Sequence, residues 1–463
     1  MFTPDIYIGR RNILRQTMGS GIILFVGHEE SPMNYTDNTY HFRQDSSFLY
    51  YFGISHPGLV GIIDLDDHND CLLGDDYTID DIVWMGQQPS MASLASSAGV
   101  AASQPLSTLV DYIEKAKRLG REIHFLPPYR ARSREILSRL LKIESSQLSQ
   151  VASLKLVKAV VAQRNYKAPE EIIEIEKAVN VTVDMHLAAM RYAKPGMTEA
   201  QVAAEVTRVA LASNGHLSFP VIATINGQTL HNHYHGNTIE EGKMFLLDAG
   251  AETSMGYAGD MSSTFPVGKK FSAEQKVFYN IALEAHNKAI SLLKPGVPFR
   301  DIHLAACAVI ATGMRDQGFL KGNVDDMVQQ GVHAMFFPCG LGHMMGLDVH
   351  DMENLGEVWV GYDGQPKSTD FGIKSLRLAR KLEPGFVLTI EPGIYFIPDL
   401  MDKWFKENRF KEYINYDKLF QYKNFGGMRN EEDFLITNDG AKLLGKRLAK
   451  SVDEVEEERR KAF

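Results

Sequence analysis

The strongest constraint on the fold is an order of elements that occurs twice, about 100 residues apart. An amphipathic helix opens at Pro169 and stops at Lys194-Pro195-Gly196, and a Thr-x-x-Gln capping box at Thr198 begins the next helix. The order returns with a Ser-x-x-Gln box at Ser272, a Lys-Pro-Gly stop at 294–296 and a further helix. Pro-Gly ends many helices by chance, but the shared order, with strand-like segments after each helix pair, favours an internal duplication.

The segment before this repeat has a different pattern. Residues 1–155 contain strand-length apolar runs, such as 21–26 and 61–65, and helical stretches such as 133–141. Alternation of this kind is typical of a small α/β domain. The sequence therefore predicts two domains, the first at 1–155 and the second, with the duplication, at 156–463.

Composition excludes several classes of protein. The 463 residues are 44% hydrophobic and 23% charged, as expected for a globular chain. With 49 basic against 58 acidic residues the net charge is −9, and without a basic stripe we expect no nucleic-acid binding. Three cysteines, at 71, 307 and 339, are too few and too scattered for a disulfide framework or a thiolate zinc site. No membrane-length apolar run and no secretory signal are visible, so we expect a cytoplasmic protein that does not bind a membrane.

Four carboxylates and one imidazole in the second block stand where an ordinary strand or loop does not favour them. Strand periodicity, for example, places Asp248 on an apolar face, where a carboxylate needs a partner or a metal. Each signal alone is weak, because a strand-end acid is usually a turn former or an ion-pair partner. Together they form an oxygen-rich set that suits Mn²⁺, Co²⁺ or Zn²⁺, and four negative charges balance two such ions. The five residues are Asp248, Asp260, His343, Glu391 and Glu431.

The flanks of these five residues resemble the metallopeptidase family with the pita-bread fold, family M24, which includes prolidases, aminopeptidases P and methionine aminopeptidases. In order, the five lie in the stretches Asp-x-Gly-Ala-Glu, Asp-x-x-x-Thr-Phe-Pro-Val, Gly-Leu-Gly-His-x-x-Gly-Leu-Asp-Val-His-Asp, Thr-Ile-Glu-Pro-Gly-Ile-Tyr and Gly-Gly-x-Arg-x-Glu. The segment 42–53 is similar to the aminopeptidase P type N-terminal domain, which methionine aminopeptidases lack. The resemblance implies such a domain at 1–155 and an α+β pita-bread catalytic domain with pseudo-two-fold symmetry at 156–463. It also implies two divalent metal ions on the five residues, with Mn²⁺ expected and Co²⁺ or Zn²⁺ as alternatives.

The resemblance assigns roles to further residues. His231 and His350 resemble two histidines that line the site and bind substrate, and they form the expected catalytic set with Glu391, the candidate proton shuttle. Arg429 resembles an arginine that orients a neighbouring carboxylate. Trp84 is similar to a tryptophan that a partner subunit contributes to the substrate pocket, with an ordinary core residue as the alternative. A homodimer or a higher homo-oligomer is therefore expected.

Two activities remain open at this point. A prolidase cuts Xaa-Pro dipeptides, whereas an aminopeptidase P removes the first residue from longer peptides. The segment 372–380 resembles a prolidase stretch whose arginine, here Arg377, grips the dipeptide carboxylate, and the insertion at 397–423 is also prolidase-like. Both features favour a Xaa-Pro dipeptidase. Cys339 stands where this subgroup usually has a substrate-binding histidine, which weakens that interpretation. A non-catalytic pita-bread binding protein is a third alternative, disfavoured because all five metal-ligand positions are filled.

Overall fold

The structure is a computed structural model that describes residues 1–463, and the chain divides into two compact units. The first comprises Met1–Arg164 and Met352–Trp359, and the second comprises Asn165–Asp351 and Val360–Phe463. The domain boundary expected at residue 155 stays a prediction. No helix combines the length and the apolar character that crossing a membrane requires.

The first unit alternates short strands with helices. Its elements are α1 (Pro4–Met18), β1 (Ile22–Val26), α2 (Ser46–Phe52), β2 (Val60–Asp64), β3 (Asn69–Leu73), α3 (Ile79–Met85), α4 (Met91–Ser97), β4 (Ala102–Gln104), α5 (Leu109–Arg118), β5 (Ile123–Phe125), α6 (Ala131–Leu141), α7 (Leu148–Val151) and α8 (Leu154–Arg164). The strands form one sheet in the order β4-β3-β2-β1-β5. Neighbours β1–β2 and β2–β3 are antiparallel, whereas β1–β5 and β3–β4 are parallel. The predicted α/β organisation is confirmed.

The apolar side chains at alternate positions of the strands pack this sheet against two helices. One face of β1, β2 and β3 packs against the apolar sides of α5 and α6, because successive side chains of a strand point to opposite faces. The buried residues of this cluster include Ile22, Leu24, Val60, Ile62, Cys71, Leu73, Ile113 and Leu137. Outside it, Trp84 on α3 is 85% exposed, so it is not a core residue.

The elements from residue 169 onward contain longer helices and several small sheets. They are α9 (Pro169–Tyr192), α10 (Glu199–Ala212), β6 (His216–Leu217), β7 (Ile222–Thr224), β8 (Met244–Ala249), β9 (Ala251–Glu252), β10 (Met261–Pro266), α11 (Ala273–Ser291), α12 (Phe299–Asp316), α13 (Val324–Gln330), α14 (Glu357–Val360), β11 (Val387–Ile390), β12 (Gly393–Tyr395), α15 (Pro398–Lys406), α16 (Tyr416–Leu419), β13 (Gly427–Arg429), β14 (Glu432–Ile436), β15 (Ala441–Leu443) and α17 (Val452–Arg460). The capping boxes predicted at Thr198 and Ser272 are both formed. Two of the sheets have three strands each, in the orders β10-β8-β7 and β11-β14-β15.

The two Lys-Pro-Gly stops make the same backbone contacts. Gly196 N–H donates to the Ile239 carbonyl at 2.9 Å, and Gly296 N–H donates to the Leu382 carbonyl at 2.8 Å. Two residues after each glycine, an isolated antiparallel bridge joins 198 to 238 and 298 to 381. Both glycines have positive φ, 88° and 83°, which a residue with a side chain rarely adopts. The predicted duplication is therefore visible as repeated local geometry.

One predicted strand is interrupted. Alternation along residues 427–436 predicts a single strand with Arg429, Glu431 and Asp433 on one face, but the structure has β13 ending at Arg429 and β14 beginning at Glu432. The two strands pair with different partners, β13 with β12 and β14 with β11. The side chains still point to one side, because Arg429 and Glu431 both contact Ser262 and Asp433 contacts the Asp260 backbone.

Candidate active site

The two aspartates come from a strand pair in the first half of the second unit. Asp248 lies near the end of β8, opposite Ser262 of β10 in the antiparallel register. Asp260 immediately precedes β10. Both carboxylates are buried, so their charges need compensation from neighbouring groups. The strand pair brings together two residues that are 260 − 248 = 12 positions apart, a spacing typical of a hairpin.

The imidazole of His343 is fixed in one orientation by two neighbouring segments. Its backbone N–H donates to Thr389 Oγ1 at 3.2 Å, and its carbonyl accepts from Thr389 N–H at 3.0 Å. The ring atom Nδ1 lies 3.1 Å from the Met344 carbonyl, to which it donates. The other ring nitrogen, Nε2, faces Asp260 Oδ2 at 3.3 Å and Glu391 Oε1 at 3.6 Å.

The two glutamates lie at strand ends in the second half. Glu391 follows β11, and its N–H donates to the Leu341 carbonyl at 2.8 Å, next to the His343 loop. Glu431 directly precedes β14, and its N–H donates to the Ser262 carbonyl at 2.9 Å. Ser262 Oγ in turn donates to Glu431 Oε2 at 2.8 Å. The returning strand of the first half therefore positions a carboxylate of the second half.

Arg429 connects the two halves through its guanidinium. Its Nη2 donates to Asp248 Oδ2, its Nε to Ser262 Oγ at 2.8 Å, and its Nη1 to the Tyr395 hydroxyl at 2.9 Å. These three contacts fix the orientation of Asp248. Asp433, fully buried, accepts the Asp260 backbone N–H at 3.1 Å and supports the second aspartate in the same way.

The donor set fits divalent cations. Asp260, His343 and Glu431 each offer one ligand atom, and these three atoms all lie within 4.8 Å of one another. All three residues are buried. Burial, together with the charges of neighbouring carboxylates, raises the pKa of Asp260, Glu391 and Glu431. Three buried carboxylates and the half-buried Glu391 repel one another, and a cation between them would offset that repulsion. These three residues could hold a divalent ion, and the binding of two ions by all five residues stays a prediction.

These residues line a cavity of about 580 Å³ together with most of the other predicted site residues. His350 lies beside His343, with ring centroids 4.3 Å apart, and His231 is exposed at the rim. Burial and the charge of Arg429 lower the pKa of His231, so this ring is neutral at pH 7. The cavity wall includes His231, Asp248, Asp260, Cys339, His343, His350, Arg377, Glu391, Arg429 and Glu431.

Two further predicted site residues, Cys339 and Trp84, have different surroundings: one lines the cavity as a thiol and the other lies away from it. The Cys339 thiol lines the cavity, and burial with the nearby Glu391 charge raises its pKa to about 12. At neutral pH it is therefore an uncharged thiol rather than a thiolate nucleophile. Trp84 lies on the exposed face of α3 in the first unit and is not among the residues that line the cavity.

Sequence reasoning missed several supporting residues. His233 and Ser375 line the cavity, and Ser262, Tyr395 and Asp433 hold the charged groups. His233 follows His231 at a spacing of two, a pattern that marks one side of an extended segment. Tyr395 and Ser262 carry no local signal, because their partner Arg429 is 34 and 167 residues away.

Two family models match this chain. Residues 174–438 match "Metallopeptidase family M24", and residues 7–124 match "Aminopeptidase P, N-terminal domain". The first match contains all five residues with predicted metal-ligand roles, and the second covers most of the α/β unit.

Individual relatives carry two kinds of name. The chain is 30% identical to human Xaa-Pro dipeptidase over 94% of its own length and 88% of the relative's. It is 31% identical to Escherichia coli Xaa-Pro aminopeptidase, with 96% of both chains covered. Among solved structures, zinc-substituted E. coli aminopeptidase P in complex with product superposes with a TM-score of 0.82 at 26% identity, covering 100% of this chain and 99% of that one. Proline aminopeptidase P II from Yersinia pestis gives a TM-score of 0.81 at 27% identity, covering 99% and 100%.

Proposed function

This chain belongs to metallopeptidase family M24, and from that premise we propose that it is a Xaa-Pro dipeptidase, a prolidase. Membership makes it a metallo-exopeptidase and implies the use of a divalent metal. The relatives support a Xaa-Pro peptidase of either kind. The proposal for the dipeptidase rests on one observation: Arg377 lies in the wall of the cavity that contains the candidate metal ligands.

Two divalent ions, Mn²⁺ in our proposal, would be held by the five residues predicted from the sequence, Asp248, Asp260, His343, Glu391 and Glu431. The chemistry that such ions supply is Lewis-acid polarisation of the peptide carbonyl and a lowered pKa of the attacking water. Arg429 keeps Asp248 aimed at the site, and the Met344 carbonyl keeps the proton of His343 on Nδ1, leaving Nε2 as a donor atom.

Glu391 carries the proton in this proposal. It is the ligand carboxylate with the greatest access to the cavity, with 20% of its side chain exposed, and burial raises its pKa. Its carboxylate takes a proton from the attacking water and passes it to the prolyl nitrogen as the C–N bond breaks. The prolyl nitrogen of the scissile bond carries no N–H, so the site needs no hydrogen-bond acceptor for it.

His231 and His350 position the substrate. Both line the cavity, one exposed at its rim and the other beside His343. A neutral imidazole N–H can donate to the carbonyl oxygen as that oxygen gains charge, which stabilises the transition state more than the ground state.

Arg377 provides the selectivity between the two activities. In an Xaa-Pro dipeptide the free carboxylate lies directly after the scissile bond, where a guanidinium can form a charge-assisted contact with it. In a longer peptide that position is an uncharged amide. Its contact with the guanidinium is weaker and offsets less of the free-energy cost of removing water from that group.

The Xaa-Pro aminopeptidase activity is the second candidate. The superposition on E. coli aminopeptidase P, which covers 99% of that chain, supports it. So does Cys339, which removes a histidine from the position where the resemblance expects a substrate contact.

We propose that α3 forms part of the contact between two copies of this chain in the expected homo-oligomer. This seven-residue helix exposes a row of apolar side chains, at Ile79 (73%), Val83 (74%) and Trp84 (85%). A second copy would bury this row and bring its own Trp84 toward the substrate. Light scattering of the full chain and of Trp84→Ala tests this, and a monomer for the unaltered chain contradicts it.

The decisive experiment compares an Xaa-Pro dipeptide with the same peptide extended by one residue, on protein loaded with Mn²⁺. The dipeptide is expected to have the higher kcat/KM. Preference for the tripeptide would favour the aminopeptidase, and hydrolysis of neither would overturn the Xaa-Pro assignment. A dipeptide with a C-terminal alanine serves as the control for the requirement for proline.

A further inference from the structure

We propose that this chain binds an additional metal ion, Zn²⁺, between His303, Cys307 and His333. These residues take no part in the reaction proposed above, and the inference does not depend on that reaction. It rests on the spacing of three ligand atoms, on their burial and on the lack of other partners for the rings.

Two elements of the second unit bring the three residues together. His303 and Cys307 lie four residues apart on α12, so they share one face of the helix. His333 lies in a turn of 3₁₀ helix, Val332–Met335, which follows α13. One ligand atom of each residue lies within 4.8 Å of the other two.

The closest pair already has the spacing of a zinc site. Cys307 Sγ is 3.5 Å from His303 Nε2. Tetrahedral zinc, with bonds of roughly 2.0 Å to nitrogen and 2.3 Å to sulfur, separates neighbouring ligand atoms by about 3.3–3.8 Å. A small movement of His333 toward this pair completes a three-ligand site.

The cluster is fully buried, and three of its four ring nitrogens lack hydrogen-bond partners. All three side chains have 0% exposure. Neither nitrogen of His333 has a hydrogen-bond partner, and neither does Nδ1 of His303. Buried polar groups in native proteins are nearly always hydrogen-bonded or ligated, so these rings point to a missing ligand.

The electronic state of the cluster suits a cation. Burial lowers the pKa of His303 to about 3 and that of His333 to about 4, so both rings are neutral and have a lone pair to offer. Burial raises the pKa of the Cys307 thiol, and a cation between the rings would favour loss of its proton. Binding then replaces the S–H bond by a sulfur–zinc bond and releases one proton to solvent.

The ligand types distinguish this site from the carboxylate site. Two imidazoles and one thiolate form a borderline-to-soft set, which favours Zn²⁺ over Mn²⁺. The candidate active site instead offers four carboxylates and one imidazole. The two sites therefore select different ions from a mixture.

Cobalt substitution tests the proposal, because Co²⁺ bound to a thiolate gives an intense sulfur-to-metal charge-transfer band in the near ultraviolet. The five candidate ligands of the active site include no sulfur, so cobalt there gives no such band. The full chain, stripped with a chelator and loaded anaerobically with Co²⁺, should show this band. It should also bind about one more ion per chain than Cys307→Ser, as measured by elemental analysis.

The three cysteines provide matched controls. Cys71→Ser and Cys339→Ser should each keep the band, and the double variant, in which Cys307 is the only thiol, should keep it as well. Cys307→Ser and His333→Gln should lose it, with circular dichroism reporting whether each variant is folded. Added Zn²⁺ should displace the cobalt and abolish the band in the unaltered chain.

Three results would overturn the proposal. The first is the absence of the band from the unaltered chain. The second is loss of the band in Cys339→Ser with retention in Cys307→Ser, which would place the thiolate at the active site. The third is an equal ion count in the unaltered chain and in folded Cys307→Ser or His333→Gln. If both of these variants fail to fold, absence of the band from the double variant is the overturning result.

Discussion

In the first half of the second unit, the turn at Gly196 joins α9 to α10, and β8 follows further along the chain. Asp248 on β8 lies 248 − 239 = 9 residues after Ile239, whose carbonyl accepts the Gly196 N–H. In the second half, the turn at Gly296 joins α11 to α12, and β11 follows further along the chain. Glu391, just after β11, lies 391 − 382 = 9 residues after Leu382, whose carbonyl accepts the Gly296 N–H. The halves differ in the length of the segment between the end of the second helix and the residue that forms the isolated β-bridge with the Lys-Pro-Gly turn. That segment runs from 212 to 238 in the first half, a span of 26, and from 316 to 381 in the second, a span of 65.

The difference separates two tasks. The repeated framework supplies carboxylates at equivalent strand ends, one from each half. The longer segment of the second half supplies His343 and much of the cavity wall, including Cys339, His350 and Arg377. The acids therefore lie on the duplicated scaffold, whereas Arg377, which we propose selects the dipeptide, lies on the longer segment of the second half.

The largest expected effect concerns the equivalent carboxylates. Glu391→Gln should lower kcat/KM by about 10³-fold or more, since one residue serves as both ligand and proton carrier. Its counterpart Asp248→Asn should lower it by about 10²-fold, because the proton carrier remains while Arg429 loses its charged partner. Steady-state kinetics with elemental analysis of bound metal measures both. Near-normal turnover of Glu391→Gln would contradict the assigned mechanism.

The two histidines, one from each half, should differ in the size of their effects. His350→Ala should reduce kcat by about 10²-fold, as loss of one donor to a developing oxyanion does. His231→Ala should reduce it by about 10-fold, because the ring is exposed and water can replace its hydrogen bond. Equal losses would show that both halves contribute equally to stabilising the transition state, and a larger loss at His231 would reverse the expected order.

Arg377 lies in the longer segment of the second half, and its removal should affect selectivity. Arg377→Ala should lower kcat/KM for an Xaa-Pro dipeptide by about 30-fold or more, from a lost contact of roughly 2–5 kcal/mol. Turnover of the corresponding tripeptide should be unchanged or improved. Arg377→Lys, which keeps the charge but not the planar fork, should lose less on the dipeptide. Equal losses of Arg377→Ala on both substrates would make the residue structural and favour the aminopeptidase.

The smallest effect tests the framework itself. Gly196→Ala and Gly296→Ala should each lower the free energy of unfolding by about 1–2 kcal/mol, since both have positive φ and open space around the added methyl group. Urea denaturation should give the same loss for both within a few tenths of a kcal/mol. Gly9→Ala, on α1 with ordinary φ, is the control and should raise stability. A difference of more than about 1 kcal/mol between the two turns would show that they are not equivalent in energy.

Much of the framework was predictable because its signals are local. The capping boxes at Thr198 and Ser272 need only a hydroxyl and an amide three residues apart. The five acid and imidazole positions were recognisable from their immediate flanks, and the structure places them around one cavity.

Other features could not be predicted because their causes are distant in sequence. The break between β13 and β14 arises because the two strands pair with β12 and β11, which the alternation of residues 427–436 does not encode. A count of cysteines alone excluded a thiolate zinc site, and His333 joins His303 and Cys307 only through the path of the chain after α13.

The sequence by itself determined where helices begin and end, which strands end in acids, and that the pattern occurs twice. Each of these follows from backbone and side-chain preferences that act over a few residues. Only the tertiary structure decided which charges meet: Arg429 contacts Asp248 across 181 residues, and Ser262 contacts Glu431 across 169. Such contacts form because burial removes water from polar groups, and each group must then find a partner wherever the fold brings one within hydrogen-bonding distance.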